Sequence, residues 1–169
     1  MKAYSKRSNN LQGTVTCPGD KSISQRSVII GSLLDEDIQI SGFLFAEDPL
    51  STIGALRNLG HEIEIDDDTV SVKNSRKKIS DQKVSCNLGN SGTGFRLISG
   101  LIAGQEIDAE LTGDDSLSKR PMNRIINPLN EMGAKIESNK GCAPLTFNKS
   151  QLVKEFLYEM PIASAQLKS

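Results

Sequence analysis

The sequence predicts an α/β fold made of repeated βαβαββ units. Two observations carry this. Ala55–Ile63 and Pro128–Ile136 both read as the end of an apolar-periodic helix, a glycine, then a short alternating strand, at an offset of 73 residues. Upstream, Arg26-Ser27-Val28-Ile29 and Arg96-Leu97-Ile98-Ser99 stand 70 residues apart, each arginine early in an apolar helical stretch. Like segments at nearly constant spacing mark a duplicated structural unit. The units span about 19–73 and 84–148, and a third begins over 155–169.

Each element has a local reason. In the first unit Thr14–Cys17 is an expected strand. The turn Pro18-Gly19-Asp20 then leads into a helix over Ile23–Leu34. Ile38–Ser41 alternates as a strand does, and Asp48 is the expected cap of a helix whose first residue is Pro49 and which runs to Leu59. Glu62–Ile65 and Thr69–Val72 make a hairpin around Asp66–Asp68. In the second unit Val84–Asn87 is a strand, Thr93–Ala103 a helix and Asp108–Thr112 a strand. Pro121–Met132 follows as a helix, then Ala134–Glu137 and Leu145–Phe147 as strands. Lys73–Lys83, polar and basic, connects the units, and Glu155–Tyr158 starts the third.

Composition narrows the function classes. Twenty basic residues against 21 acidic ones give a net charge of −1, which argues against a general nucleic-acid surface. No apolar run approaches the length of a membrane span, and the opening MKAYSKRSNN lacks the apolar stretch of a signal peptide, so a cytoplasmic protein is expected. Cys17, Cys86 and Cys142 are scattered without a CxxC spacing, and the single histidine has no partners for a metal cluster. His61 reads as a solvated residue entering a strand.

Positive charge gathers instead at helix starts. Lys21 and Arg26 flank the start of the first helix in PGDKSISQR (18–26). A helix N-terminus already presents unpaired N–H groups and the positive end of the dipole. Added cations there suit a phosphate or carboxylate ligand, although a capped surface helix with two solvated cations is an equal reading of this segment alone. The small-residue loop GNSGTGFR (89–96) also opens an apolar helix, and its glycines let backbone N–H groups approach a ligand. Lys119 and Arg120 stand before Pro121, where helix stability gives no reason for cations. Three segments thus offer one kind of ligand the same chemistry.

Read together, PGDKSISQR, GNSGTGFRL, LTGDDSLSKRPMNRIINPLNEMGAKI and the terminal PIASAQLKS resemble the 5-enolpyruvylshikimate-3-phosphate synthase family. The resemblance runs from about Gly13 to Ser169. It implies the enolpyruvyl transferase fold, an inverse α/β barrel-like domain of three βαβαββ units, here truncated in the third. It implies that residues 1–18 pair with a missing second domain and that 19–169 form an incomplete first one. The implied reaction moves the carboxyvinyl group of phosphoenolpyruvate to the 5-hydroxyl of shikimate 3-phosphate, with no metal or organic cofactor, in a protein monomeric at full length.

The resemblance also assigns residues. Lys21 is the implied catalytic residue, touching both substrates. Ser22, Arg26, Ser164, Ala165 and Gln166 are implied for shikimate 3-phosphate. Asn90, Gly92, Thr93, Arg120 and Gln166 are implied for phosphoenolpyruvate. Arg96, one turn inside its helix, is expected in a structural ion pair, and Asp114 and Asp115 in a turn. Gln25 stands where many members carry histidine. The family's acidic groups for proton transfer have no counterpart in this chain, so the expectation is a substrate-gripping half, inactive alone. The alternative is a stand-alone binding module for a phosphorylated metabolite.

Overall fold

The computed structural model describes residues 3–7, 9–74, 83–153, 155–160, 163 and 165–168. The first unit comprises α1 (Lys21–Gly31), β1 (Ile38–Ser41), α2 (Glu47–Asn58), β2 (Glu62–Asp66) and β3 (Thr69–Lys73). The second comprises β4 (Val84–Asn87), α3 (Gly92–Gly104), β5 (Ala109–Thr112), a 3-10 turn (Leu117–Lys119), α4 (Asn123–Glu131), β6 (Lys135–Asn139) and β7 (Cys142–Asn148). A short helix, α5 (Ala165–Lys168), follows.

Each unit builds its own sheet. In the first, β1, β3 and β2 lie side by side and antiparallel. In the second the order is β4-β5-β7-β6, with β4 and β5 parallel and the other pairs antiparallel. A parallel pair needs a long crossover, and α3 supplies it. The strands β1, β2 and β3 begin 71, 73 and 73 residues before β5, β6 and β7. The shared pattern follows from shared local chemistry: Gly60 (φ +97°) and Gly133 (φ +103°) close α2 and α4 in the left-handed region that favours glycine.

Alternation then sets the core. Val70 and Val72 of β3 point one way, and Ala143, Leu145 and Phe147 of β7 do the same in the second sheet. Ile53, Leu56 and Leu59 from α2 and Phe95, Ile98 and Ile102 from α3 are buried with them in one continuous cluster. The two units therefore share a core, with α1, α2 and α3 packed on one another.

Several elements differ from expectation. Thr14–Cys17 is exposed, irregular chain rather than a strand. A strand requires a neighbour for its N–H and C=O groups, and among the described residues no strand pairs beside β1 as β4 does beside β5. The first unit thus reads αβαββ and the second βαβαββ. Glu155–Tyr158 forms no strand. The helix α2 begins one residue before Asp48, with Ala46 as N-cap and no side-chain cap bond. The helix α4 begins at Asn123, which leaves Pro121 outside it. Most of the Lys73–Lys83 connection and the residues around Pro161 lie outside the described residues.

Candidate functional site

Parallel pairing creates the site. Register Asn87↔Thr112 brings the ends of β4 and β5 level, so the loops that follow them run side by side. Leu88 N–H donates to the Thr112 carbonyl at 3.0 Å, and Asp114 N–H to the Gly89 carbonyl at 2.9 Å. At Gly113 a Cβ would stand 2.8 Å from the Gly89 carbonyl oxygen and 2.2 Å from Leu117 Cδ2, so only glycine permits this backbone contact. Asp114 Oδ1 accepts from Leu117 N–H at 2.7 Å, the turn-forming role expected of it. The space beyond the carboxyl ends of parallel strands is where open α/β sheets take ligands. Here it also holds the N-terminus of α3, capped by Ser91, whose Oγ accepts from Gly94 N–H.

Two guanidinium groups, of Arg96 and Arg120, meet at this helix start, and the charge of Arg124 is felt there. Arg120 lies in extended chain between the 3-10 turn and α4, not in a helix. Its Nη2 bonds Asn90 Oδ1 and lies 3.4 Å from Ser116 Oγ. A Cβ on Gly92 would be 2.9 Å from Arg120 Nη1 and 3.2 Å from Arg96 Nη1, so glycine leaves the room both side chains occupy. Arg96 Nη1 donates to the Gly92 carbonyl at 3.0 Å. Burial, then the neighbouring Arg124 and Arg120 charges, hold the Arg96 pKa below its ordinary value. The expected structural ion pair is absent: among the described residues no carboxylate pairs with Arg96. Crowded like charges with bonds only to neutral acceptors favour an incoming anion. Sequence reading missed Arg124, the second residue of α4, because Arg120 is not in that helix and no helical spacing links the two.

The lysine side is built by α1 and α2. Asp20 caps α1 by accepting from Ile23 N–H at 2.8 Å, which fixes Lys21 as the first helical residue. Lys21 Nζ meets Asp48 Oδ2 at 2.8 Å. Asp48, expected as a cap, thus holds a cation instead. Ser22 is half-buried in the same turn, and Arg26 Nη1 lies 3.4 Å from the Ser22 carbonyl. The buried Gln25 side chain joins this side to the glycine loop, with Nε2 2.7 Å from Ser91 Oγ.

Of the sequence-assigned residues, Asn90, Gly92 and Arg120 are in direct contact, and Thr93 is half-buried in the same first turn of α3. Ala165 and Gln166 fall in α5, which packs against α3, and Ser164 lies outside the described residues. A cleft of about 520 Å³ runs further along α1 and α3, lined by Ile30, Leu33, Leu97 and Leu101 with Arg26 as its cation. Its apolar walls do not suit a phosphate, and neither Gly92 nor Arg120 reaches it.

His61 is not the solvated residue expected. It is half-buried with Nε2 shut away from any partner among the described residues, and burial lowers its pKa. Buried Cys86 bonds the Ala55 carbonyl, and burial raises its pKa to about 11, the mark of an inert thiol. Among the described residues there is no group of three metal-ligating side chains, and no helix is long and apolar enough to cross a membrane.

Comparison with known proteins gives one consistent match. A family model described as EPSP synthase (3-phosphoshikimate 1-carboxyvinyltransferase) covers residues 5–169. The chain is 50% identical over 166 residues to a 3-phosphoshikimate 1-carboxyvinyltransferase of Vesicomyosocius okutanii, covering 96% of this chain and 38% of that relative. It is 47% identical over 165 residues to the protein of the same name from Thermoanaerobacter sp. strain X514, covering 97% of this chain and 39% of the relative. A solved EPSP synthase structure from Acinetobacter baumannii superposes with TM-score 0.82 at 41% identity, covering 92% of this chain and 36% of that one. The chain thus spans well under half the length of these relatives.

Proposed function

Because the chain belongs to the EPSP synthase (3-phosphoshikimate 1-carboxyvinyltransferase) family, we propose that it is the substrate-gripping part of an enolpyruvyl transferase. The whole enzyme would move the carboxyvinyl group of phosphoenolpyruvate onto the 5-hydroxyl of shikimate 3-phosphate and release phosphate. Two phosphates and two carboxylates must then sit close together. That demands planar, bidentate cations and backbone N–H groups in fixed places.

The observation that carries this reading is the Gly92–Arg96–Arg120 contact at the start of α3. In the proposal Arg120 and the Gly92 N–H take phosphoenolpyruvate, with Asn90 and Thr93 shaping the loop. Lys21 bridges both substrates and offsets charge at the reacting centre, which requires it to exchange Asp48 for substrate. Ser22, Arg26, Ser164, Ala165 and Gln166 take shikimate 3-phosphate. Proton transfer is left to groups outside this chain, so the chain alone binds without turning over. Cytoplasmic location and a monomeric whole protein belong to the same proposal and rest on the family resemblance.

Calorimetry with each substrate, and phosphate release with both, tests it. The expected result is binding of shikimate 3-phosphate and phosphoenolpyruvate without phosphate release. Release that depends on both substrates overturns the inactive-half reading. Absence of binding that persists in a longer chain overturns the substrate assignment.

A further inference from the structure

Gln25 is the largest polar side chain buried completely in this molecule's described residues, at 0% exposure. Its Nε2 lies 2.7 Å from Ser91 Oγ, 3.0 Å from Thr52 Oγ1 and 3.3 Å from the Asp48 carbonyl. These acceptors belong to two other helices. Ser91 is the N-cap of α3, one residue before Gly92. Asp48 and Thr52 lie in the first two turns of α2, and the Asp48 carboxylate holds Lys21. One amide of α1 therefore touches the starts of the two other helices packed on it.

The surroundings are shaped around that amide. Thr52 and Ser91 are also fully buried. A Cβ on Gly94 would stand 2.6 Å from Thr52 Oγ1, 2.7 Å from Ser91 Oγ and 3.0 Å from Gln25 Nε2. The missing side chain of Gly94 is thus the space the cluster fills. Gln25 Oε1 is buried with no partner among the described residues, so the donor side alone makes the connection. A buried donor network with few alternatives fixes geometry.

We propose that Gln25 is a positioning residue: by tying the Ser91 cap of α3 to the first turns of α2, it holds the Gly92 backbone and the Asp48–Lys21 pair at one separation, the separation a shared anionic ligand needs. This deepens the function proposed above and rests on it for the identity of the ligand. Gln25 touches no substrate in this account. It acts through Ser91 and Asp48.

The test compares the wild-type chain with Gln25→Met, which keeps the length but removes the donors, and Gln25→His, which keeps an N–H donor. Two readouts are taken: residue-resolved amide exchange, and phosphoenolpyruvate affinity by calorimetry. In Gln25→Met the Gly94 amide, which bonds Ser91 Oγ, exchanges at least tenfold faster, while Leu145 in β7 stays within twofold. Phosphoenolpyruvate binding weakens about tenfold. Gln25→His stays within threefold of wild type in both readouts. Unchanged Gly94 exchange in the methionine variant overturns the proposal. So does a speed-up equal in Gly94 and Leu145, which would mean general loosening, or a histidine variant as loose as the methionine one. If Gln25→Met does not fold, the histidine variant decides: wild-type Gly94 exchange supports the proposal and tenfold faster exchange overturns it. If the wild type binds no phosphoenolpyruvate, the ligand reading falls, and the exchange measurement still decides the positioning role.

Discussion

Lys21 Nζ lies 2.8 Å from Asp48 Oδ2, so the cation that opens α1 is held by the second residue of α2. The lysine side chain is half exposed, at 49%. An ion pair so open to water contributes at most about 1 kcal/mol to stability. In the proposed function Lys21 exchanges this water-weakened carboxylate for a substrate anion, so the pair matters for aim rather than strength.

Substitution at this pair separates folding from binding. Lys21→Ala lowers the melting temperature by less than about 4 °C, the shift that 1 kcal/mol gives in a chain of this size. Binding of shikimate 3-phosphate and of phosphoenolpyruvate is lost in calorimetry. Asp48→Asn has the same small thermal effect and leaves measurable binding of both. A fall in melting temperature above 10 °C for Lys21→Ala would count against this division.

Two glycine-to-alanine changes have opposite effects. In Gly92→Ala the new methyl meets the flexible ends of Arg120 and Arg96. The chain stays folded, and phosphoenolpyruvate binding weakens because the guanidinium groups swing away. In Gly113→Ala the methyl meets the Gly89 carbonyl and Leu117, which cannot swing away. That costs about 1–3 kcal/mol of stability. Urea unfolding of both variants beside phosphoenolpyruvate titration checks the pair.

The arginine cluster makes anions stabilising. An anion bound only by the folded chain raises stability by about 2.7 kcal/mol at a hundredfold excess over its Kd. Inorganic phosphate therefore raises the melting temperature of the wild type beyond the effect of chloride at equal ionic strength. Arg120→Ala removes the difference. Arg96→Met relieves like-charge crowding around a half-buried guanidinium, so without phosphate it melts no lower than wild type.

Acid weakens the fold through His61. Burial lowers its pKa in the folded chain below the usual 6.5. Below pH 6.5 the unfolded chain then takes up protons that the folded chain refuses, so stability falls with pH. The contribution is complete above pH 6.5, is lost as pH falls from there to the folded value, and then levels off. His61→Gln lacks this dependence. Urea midpoints for both proteins at pH 7.5 and 5.5 show it as a larger drop in the wild type.

Local chemistry is what the sequence made legible. The helix–Gly–strand segments at Gly60 and Gly133, the loop before Phe95 and both hairpins are governed by neighbours a few residues away, and they stand where expected. Four larger errors depend on distant partners or on packing. Thr14–Cys17 has strand-like alternation, but alternation alone supplies no adjacent edge. Asp48 looks like a cap until Lys21, 27 residues earlier, meets it. One turn inside an apolar helix, Arg96 reads as half of an ion pair, and only the folded chain sets it beside Arg120. His61 follows a turn glycine, yet the packing around it excludes water.

One inequality between the units reaches beyond the site. The strand β5 has a neighbour on each side, whereas among the described residues β1 pairs only with β3. Among the described residues no strand covers the far side of Ile38–Ser41, an edge four residues long. An extended segment that fits it can come from the same molecule or from another. As protein is concentrated, the second source gains on the first, and neighbouring molecules can be stitched together without any helix unfolding. Behaviour at high concentration is thereby tied to one edge of one short strand.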